Sequence, residues 1–169
     1  MRTRIELLNG WTPAEAEREL LICCGSTSWT LRMIQQRPFV NFEELFATAE
    51  RTWWQLERDD WLEAFSRHPK IGAQAAESES ERARRWSEQE QAATRQAPGP
   101  LLDELAEENG RYQEKFGYIF IVCASGLGAG EMLALLRKRL QNDSGTELVV
   151  AAEQQRRITR LRLEKLLMS

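Results

Sequence analysis

With 169 residues, 42% of them apolar and 29% charged, the chain has the size and composition of one globular domain, expected to span residues 1–169. A net charge of −3 excludes the basic footprint of nucleic-acid or anionic-membrane binding, and no apolar run approaches the roughly 18 residues that a membrane-crossing helix needs. One histidine and three cysteines, two of them adjacent at Cys23-Cys24, are too few donors for an ordinary zinc site, so no metal is expected. Arg2 and Arg4 precede no long apolar stretch, so no secretory signal is expected, and the odd number of thiols fits reduced cysteines in the cytoplasm.

In chain order, Thr12-Pro13-Ala14-Glu15 opens the first predicted helix. Thr12 caps, Pro13 suits the first helical position and Glu15 completes a capping box. This helix is expected to run to Cys24 and stop at Gly25. Ser28 to Gln36 reads as a short second helix carrying Trp29, Met33 and Ile34, broken by Pro38. Asn41-Phe42-Glu43-Glu44 repeats the start signal, and Phe42, Leu45, Phe46, Ala49, Trp53 and Leu56 follow at helical spacing. Asp60 opens another short helix with Trp61, Leu62 and Phe65. It stops before His68-Pro69, because a residue preceding proline disfavours the helical region. After Lys70-Ile71-Gly72-Ala73 comes a polar stretch, Gln74 to Arg85, expected as part loop and part exposed helix. Ser87 to Gln96 is predicted helical, and Pro98-Gly99-Pro100 breaks the chain. Leu101 to Phe116 is helical and ends at Gly117. Tyr118 to Ala124 is an apolar run whose pattern fits a strand, a buried helical piece or a loop alike. Gly126 and Gly128 punctuate it, Gly130 to Gln141 is helical, and Ser144 opens a last helix that reaches about Met168. With no repeat, no long linker and no βαβ alternation, the expected fold is all-α, a bundle of about eight helices.

Four features bear on chemistry. His68 sits at a helix end in a stiff His-Pro-x-x-Gly turn. Histidine titrates near neutral pH, which suits a general acid or base, although a capping or surface role fits a lone histidine equally. Ser87 and Glu90 stand at capping-box spacing. Either they only cap a helix, or that N-terminus, with Gln91, binds a carboxylate or urea-like carbonyl while Glu90 orients His68 and raises its pKa. Arg162 lies among Ile158, Leu161, Leu163 and Leu166. It either follows the core edge with its head in water or aims its planar fork at an anion in a pocket. Phe116 to Ala124 reads first as core, or as backbone that presents N–H and C=O groups to a small heterocycle. The six tryptophans read as core or dimer surface.

The blocks His68-Pro69-Lys70-Ile71-Gly72, Ser87-x-x-Glu90-Gln91, Asn109-x-x-Tyr112-x-x-Lys115-Phe116-Gly117-x-x-Phe120, Arg139-Leu140-x-Asn142 with Glu147, and Ile158-x-x-x-Arg162-Leu163 occur in that order. As an ordered set they resemble the decarboxylase family of 2-oxo-4-hydroxy-4-carboxy-5-ureidoimidazoline (OHCU). The resemblance spans Asn9 to Leu167. It implies an all-helical, homodimeric carboxy-lyase without cofactor that converts OHCU to (S)-allantoin in urate degradation, with a functional link to 5-hydroxyisourate hydrolase. It implies His68, Glu90 and Arg162 as catalytic residues. It implies substrate contacts at Pro69, at Ser87, Glu88, Gln89, Glu90 and Gln91, at Phe120, Ile121, Val122, Cys123 and Ala124, and at Arg162. Lys70, Ala73-Gln74 and Ile119 depart from the common family pattern, and none is needed for the chemistry. The end, Leu167-Met168-Ser169, lacks a peroxisomal Ser-Lys-Leu address, which agrees with the expected cytoplasmic location.

On this reading the substrate is its own electron sink. Loss of CO2 leaves an electron pair that delocalises into the ring as an enolate, and His68 supplies the proton. Two other classes compete: a non-catalytic helical module using the tryptophan-rich first half as a partner surface, and a hydrolase or racemase acting on a related ureido or hydantoin substrate. A hydrolase needs a positioned water and usually a metal or second base, for which the chain offers few groups.

Overall fold

The computed structural model describes residues 2–71 and 80–168. Gly72, Ala73 and Gln74, and with them the glycine of the His-Pro-x-x-Gly turn, lie outside the described residues. Ten helices and no strand occur among the described residues, so the fold is all-α as expected. The count exceeds eight because a first helix precedes Thr12 and the segment after Ser80 is divided. Contacts group the chain into two compact units, Met1–Ala64 with Arg156–Ser169, and Phe65–Gln155.

The first unit contains α1 (Arg4–Gly10), α2 (Pro13–Cys23), α3 (Thr27–Gln35), α4 (Phe42–Trp54), nearly all of α5 (Arg58–Ser66) and the second half of α10 (Ser144–Met168). Capping boxes start the first two helices, Thr3 with Glu6 and Thr12 with Glu15. The first of these was the signal for α1, overlooked because only seven residues follow it. Ser26 and Asn41 cap α3 and α4 by accepting from the Trp29 and Glu44 amides. The core gathers Leu20, Trp29, Met33, Leu45, Trp53 and Leu163, all nearly inaccessible. The indole N–H of Trp29 donates to Ala49 O at 3.1 Å and that of Trp61 to Trp53 O at 3.0 Å, so the buried Trp29 and the half-buried Trp61 both have their polar handles satisfied.

The second unit contains α6 (Glu81–Glu90), α7 (Ala92–Arg95), α8 (Gly99–Phe116), α9 (Ala129–Arg139) and the first half of α10. Here the structure departs from the predicted helix over 87–96. Ser80, not Ser87, is the cap, its hydroxyl accepting from Ala83 N at 3.1 Å. Starting about two turns earlier places Trp86 inside the helix and buries it. Burying a large apolar ring contributes about 1.5–3 kcal/mol, whereas one capping bond contributes about 1. The Pro98-Gly99-Pro100 break holds, but α8 begins inside it, with Pro100 in the first turn where its missing N–H costs nothing.

Tyr118 to Ala124 is neither helix nor strand. Gly117, at φ 86°, ends α8 in the left-handed region that favours glycine, and the chain then runs irregularly with Phe120 and Ile121 each 2% exposed. A buried ion pair supports it. Arg139 donates through Nε to Glu147 Oε1 at 2.7 Å and through Nη1 to Ile121 O at 2.6 Å, and its guanidinium lies 4.4 Å from the Phe120 ring centroid. Tyr112 Oη donates to Glu147 Oε1 at 2.5 Å, and Asn142 Nδ2 to Glu147 Oε2 at 3.0 Å. Lys115 Nζ reaches Leu140 O and Asn142 O at 2.6 and 3.0 Å, closing the end of α9. Burial pushes the Tyr112 phenol well above its usual range, and its contact with Glu147 adds to the shift, so it remains a neutral donor.

Removing one partner of a buried pair leaves the other charge uncompensated. Arg139→Met is therefore expected to destabilise the protein by about 3–5 kcal/mol, read as a lower urea midpoint. Adding Glu147→Gln is expected to restore part of that loss, and a strictly additive further loss would contradict the coupling.

Candidate functional site

His68 follows α5. Its amide donates to Phe65 O at 3.3 Å, and Pro69 prevents another helical turn. Both His68 and Pro69 are half-buried. The imidazole Nε2 stands 2.6 Å from Gln155 Oε1, and Gln155, on α10, is fully inaccessible. Spacing pointed to Glu90 as the partner of this ring; the hydrogen bond seen at Nε2 belongs to a carboxamide.

Ser87 to Gln91 occupies the last turn of α6 and its C-cap. The expectation of an anion site built from free amides at a helix N-terminus is therefore corrected: carbonyls, and the negative end of the dipole, gather there. What survives is a face. Ser87, Glu90 and Gln91 recur at i, i+3 and i+4. Ser87 and Gln91 are buried and Glu90 half-buried, while Glu88 and Gln89 are exposed and Glu88 stands 3.9 Å from Arg95.

In the 118–124 segment, Phe120, Ile121, Val122 and Ala124 are buried and Cys123 is half-buried. Two backbone groups expected to meet a ligand are engaged within the protein. The Cys123 amide donates to Gln154 Oε1 at 2.9 Å, and the Ile121 carbonyl accepts from Arg139. Gln154 and Gln155 are the residues that sequence reasoning missed. Their only signal is two carboxamides in the middle of a long helix, which reads as surface until the packing is known.

Arg162 belongs to the other unit. It is 7% exposed, which sets aside the reading with its head in water, and its Nη1 donates to Ile22 O at 2.8 Å. That carbonyl lies in the last turn of α2, where in-helix donors run out and the dipole favours a cation. Beside it, burial pushes the Cys24 thiol up from its usual 9.0 to about 12; the Ser26 amide, the Thr159 hydroxyl and the Arg162 charge oppose the shift only in part. A small cleft in the same unit is walled by Phe46, Trp53, Thr159 and Leu163 and edged by the Glu50–Arg156 ion pair at 2.7 Å. It includes none of the expected site residues. Among the described residues no cluster of metal-ligating side chains occurs and no helix is long and apolar enough to cross a membrane.

Comparison with known proteins agrees with the motif order. Residues 9–164 match the family model described as OHCU decarboxylase. A uric acid degradation bifunctional protein of Arabidopsis thaliana is 42% identical over 89% of this chain and 47% of its own length. One from Bacillus sp. (strain TB-90) is 23% identical over 96% of this chain and 32% of its own length. The chain thus spans half or less of these curated relatives. A crystal structure of OHCU decarboxylase in the presence of (S)-allantoin superposes with a TM-score of 0.76 at 38% identity, covering 90% of this chain and 99% of that one. A crystal structure of (S)-allantoin synthase, at 20% identity and a TM-score of 0.73 over 98% of this chain and 54% of that one, shares the fold.

The Cys24 shift has a sign that can be measured. Between about pH 9 and 12 the folded chain keeps this proton and the unfolded chain loses it, so stability falls as pH rises through that window. Melting temperature is expected to decline across the window, and more shallowly in Cys24→Ala; an unchanged slope would assign the alkaline loss to other groups.

Proposed function

This chain belongs to the OHCU decarboxylase family, and we propose that it converts OHCU to (S)-allantoin as a cofactor-independent carboxy-lyase. The observation that carries the reading is the 38% identical decarboxylase structure, obtained in the presence of (S)-allantoin, 99% of which is matched by 90% of this chain. The ordered motif blocks support it, because they cover both the scaffold residues around Glu147 and the residues proposed for chemistry.

In the proposed reaction the bond between the ring carbon and the carboxylate breaks, and CO2 departs. The electron pair left behind passes into the conjugated ring. A proton from the His68 imidazolium then forms the new C–H bond on one face, and the ring is reprotonated from water. Pro69 stiffens the turn that carries the ring. Glu90 is proposed to favour the charged imidazole. Ser87 and Gln91, the buried pair on the same face of α6, are proposed to hold the ureido group by hydrogen bonds. Arg162, on the family resemblance, and the Phe120–Ala124 segment are proposed to bind ring oxygens on which charge develops. Seating the leaving carboxylate in a strong ion pair would stabilise the ground state more than the transition state, so Arg162 is assigned to the ring.

The bifunctional relatives of uric acid degradation support a functional link to a neighbouring step, which we assign to 5-hydroxyisourate hydrolase. A homodimer is proposed on the family resemblance of the motif blocks. A cytoplasmic location is proposed, in keeping with three cysteines that form no disulfide.

Freshly generated OHCU mixed with the purified chain is expected to release CO2 and yield optically active (S)-allantoin, followed by circular dichroism at the allantoin band. Racemic product formed at the uncatalysed rate would refute the activity. His68→Asn is expected to lower kcat by roughly 10²–10⁴-fold while leaving the far-ultraviolet spectrum unchanged; turnover near wild type would remove His68 from the proton transfer.

A further inference from the structure

We propose that Gln155 is the positioning residue for His68: by accepting a hydrogen bond at Nε2 it keeps a hydrogen on that nitrogen and leaves proton exchange with substrate to Nδ1. The consequence for turnover rests on the decarboxylase reading; the state of the ring does not.

The contact is short, 2.6 Å, and its carboxamide is 0% exposed. A carboxamide taken so far from water costs free energy unless its polar atoms are bonded, so the bond to the ring matters to both partners. An amide oxygen has no hydrogen to give, and of the two groups only the ring can donate. The ring is therefore held as the Nε2–H tautomer when neutral, and gains its second proton at Nδ1. The acceptor is also uncharged. A carboxylate at that place would bind the cation and hold back its proton, whereas a carboxamide fixes the tautomer with far less bias toward the charged form. The support is rigid: Gln155 lies within a 25-residue helix, and its neighbour Gln154 holds the Cys123 amide at 2.9 Å. Two successive glutamines thus tie the histidine turn and the irregular segment to one stretch of α10, the kind of second layer that holds a reacting group within a fraction of an ångström.

His68 is the only histidine, so a chain labelled with ¹⁵N-histidine gives one set of ring resonances and needs no assignment. The neutral ring of the wild-type chain is expected to carry its hydrogen on Nε2, with an Nε2–H proton slow enough in exchange to be seen. Gln155→Met, which keeps the length and removes the acceptor, is expected to erase that proton resonance. Gln155→Glu, which keeps an oxygen there, is expected to retain it. In turnover of OHCU, Gln155→Met is expected to lower kcat by roughly 10–100-fold with KM little changed, since the residue acts through the ring, and Gln155→Glu is expected to recover part of the loss. A wild-type neutral ring protonated on Nδ1, or a Gln155→Met chain with either the wild-type ring spectrum or the wild-type kcat, would overturn the proposal. Should Gln155→Met fail to fold, the wild-type spectrum and Gln155→Glu still decide it. A wild-type chain that shows the Nε2 hydrogen but leaves OHCU untouched would refute the decarboxylase reading and support the ring assignment.

Discussion

The guanidinium of Arg139 and the carboxylate of Glu147, 2.6 Å apart and almost wholly out of water, set the form of the unit that carries His68. Taking both charges from water costs several kcal/mol each unless every remaining donor and acceptor finds a partner. The partners present are Tyr112, Asn142 and the Ile121 carbonyl. Each comes from a different stretch of chain, so satisfying one ion pair brings together α8, the end of α9, the start of α10 and the irregular segment. Without this polar anchor a buried backbone of neither helix nor strand would leave a carbonyl unpaired, at roughly 1–3 kcal/mol.

The same economy governs the groups proposed for chemistry. Irregular chain at 118–124 has no ladder of its own, so a side-chain amide from α10 takes the Cys123 N–H and an arginine takes the Ile121 C=O. The His68 ring, carried on a turn, is bonded to a carboxamide on the same long helix. A neutral acceptor thus meets the Nε2 hydrogen of His68, while the Arg139–Glu147 charges serve the scaffold. That division suits a reaction in which the protein holds a small anionic ring and passes it one proton: a fixed ion pair contributes rigidity, whereas a strong ion pair at the reacting centre would stabilise the starting carboxylate.

Much of the fold was legible because its signals are local. Thr12-Pro13-Ala14-Glu15 and Asn41 begin helices where capping chemistry says they should, Gly117 ends α8, and the six tryptophans read as core or dimer surface, of which Trp29, Trp53 and Trp86 are core. Ser87-x-x-Glu90 shows the limit of such signals. Its spacing satisfies a capping box, yet so short a pattern does not reveal that a cap at Ser80 lets the helix bury Trp86 as well.

The sequence by itself determined the helical class, the order of the motif blocks and the place of the single histidine, the proposed proton donor, because residue type, period and spacing are properties of a line of chain. Tertiary structure alone decided that 118–124 is irregular, that Ser87 to Glu90 is the last turn of α6 and not the start of a helix over 87–96, and that the acceptor at His68 Nε2 is Gln155, 87 residues away. These depend on which polar groups can be satisfied once water is excluded, and that follows only from the packing of distant segments against one another.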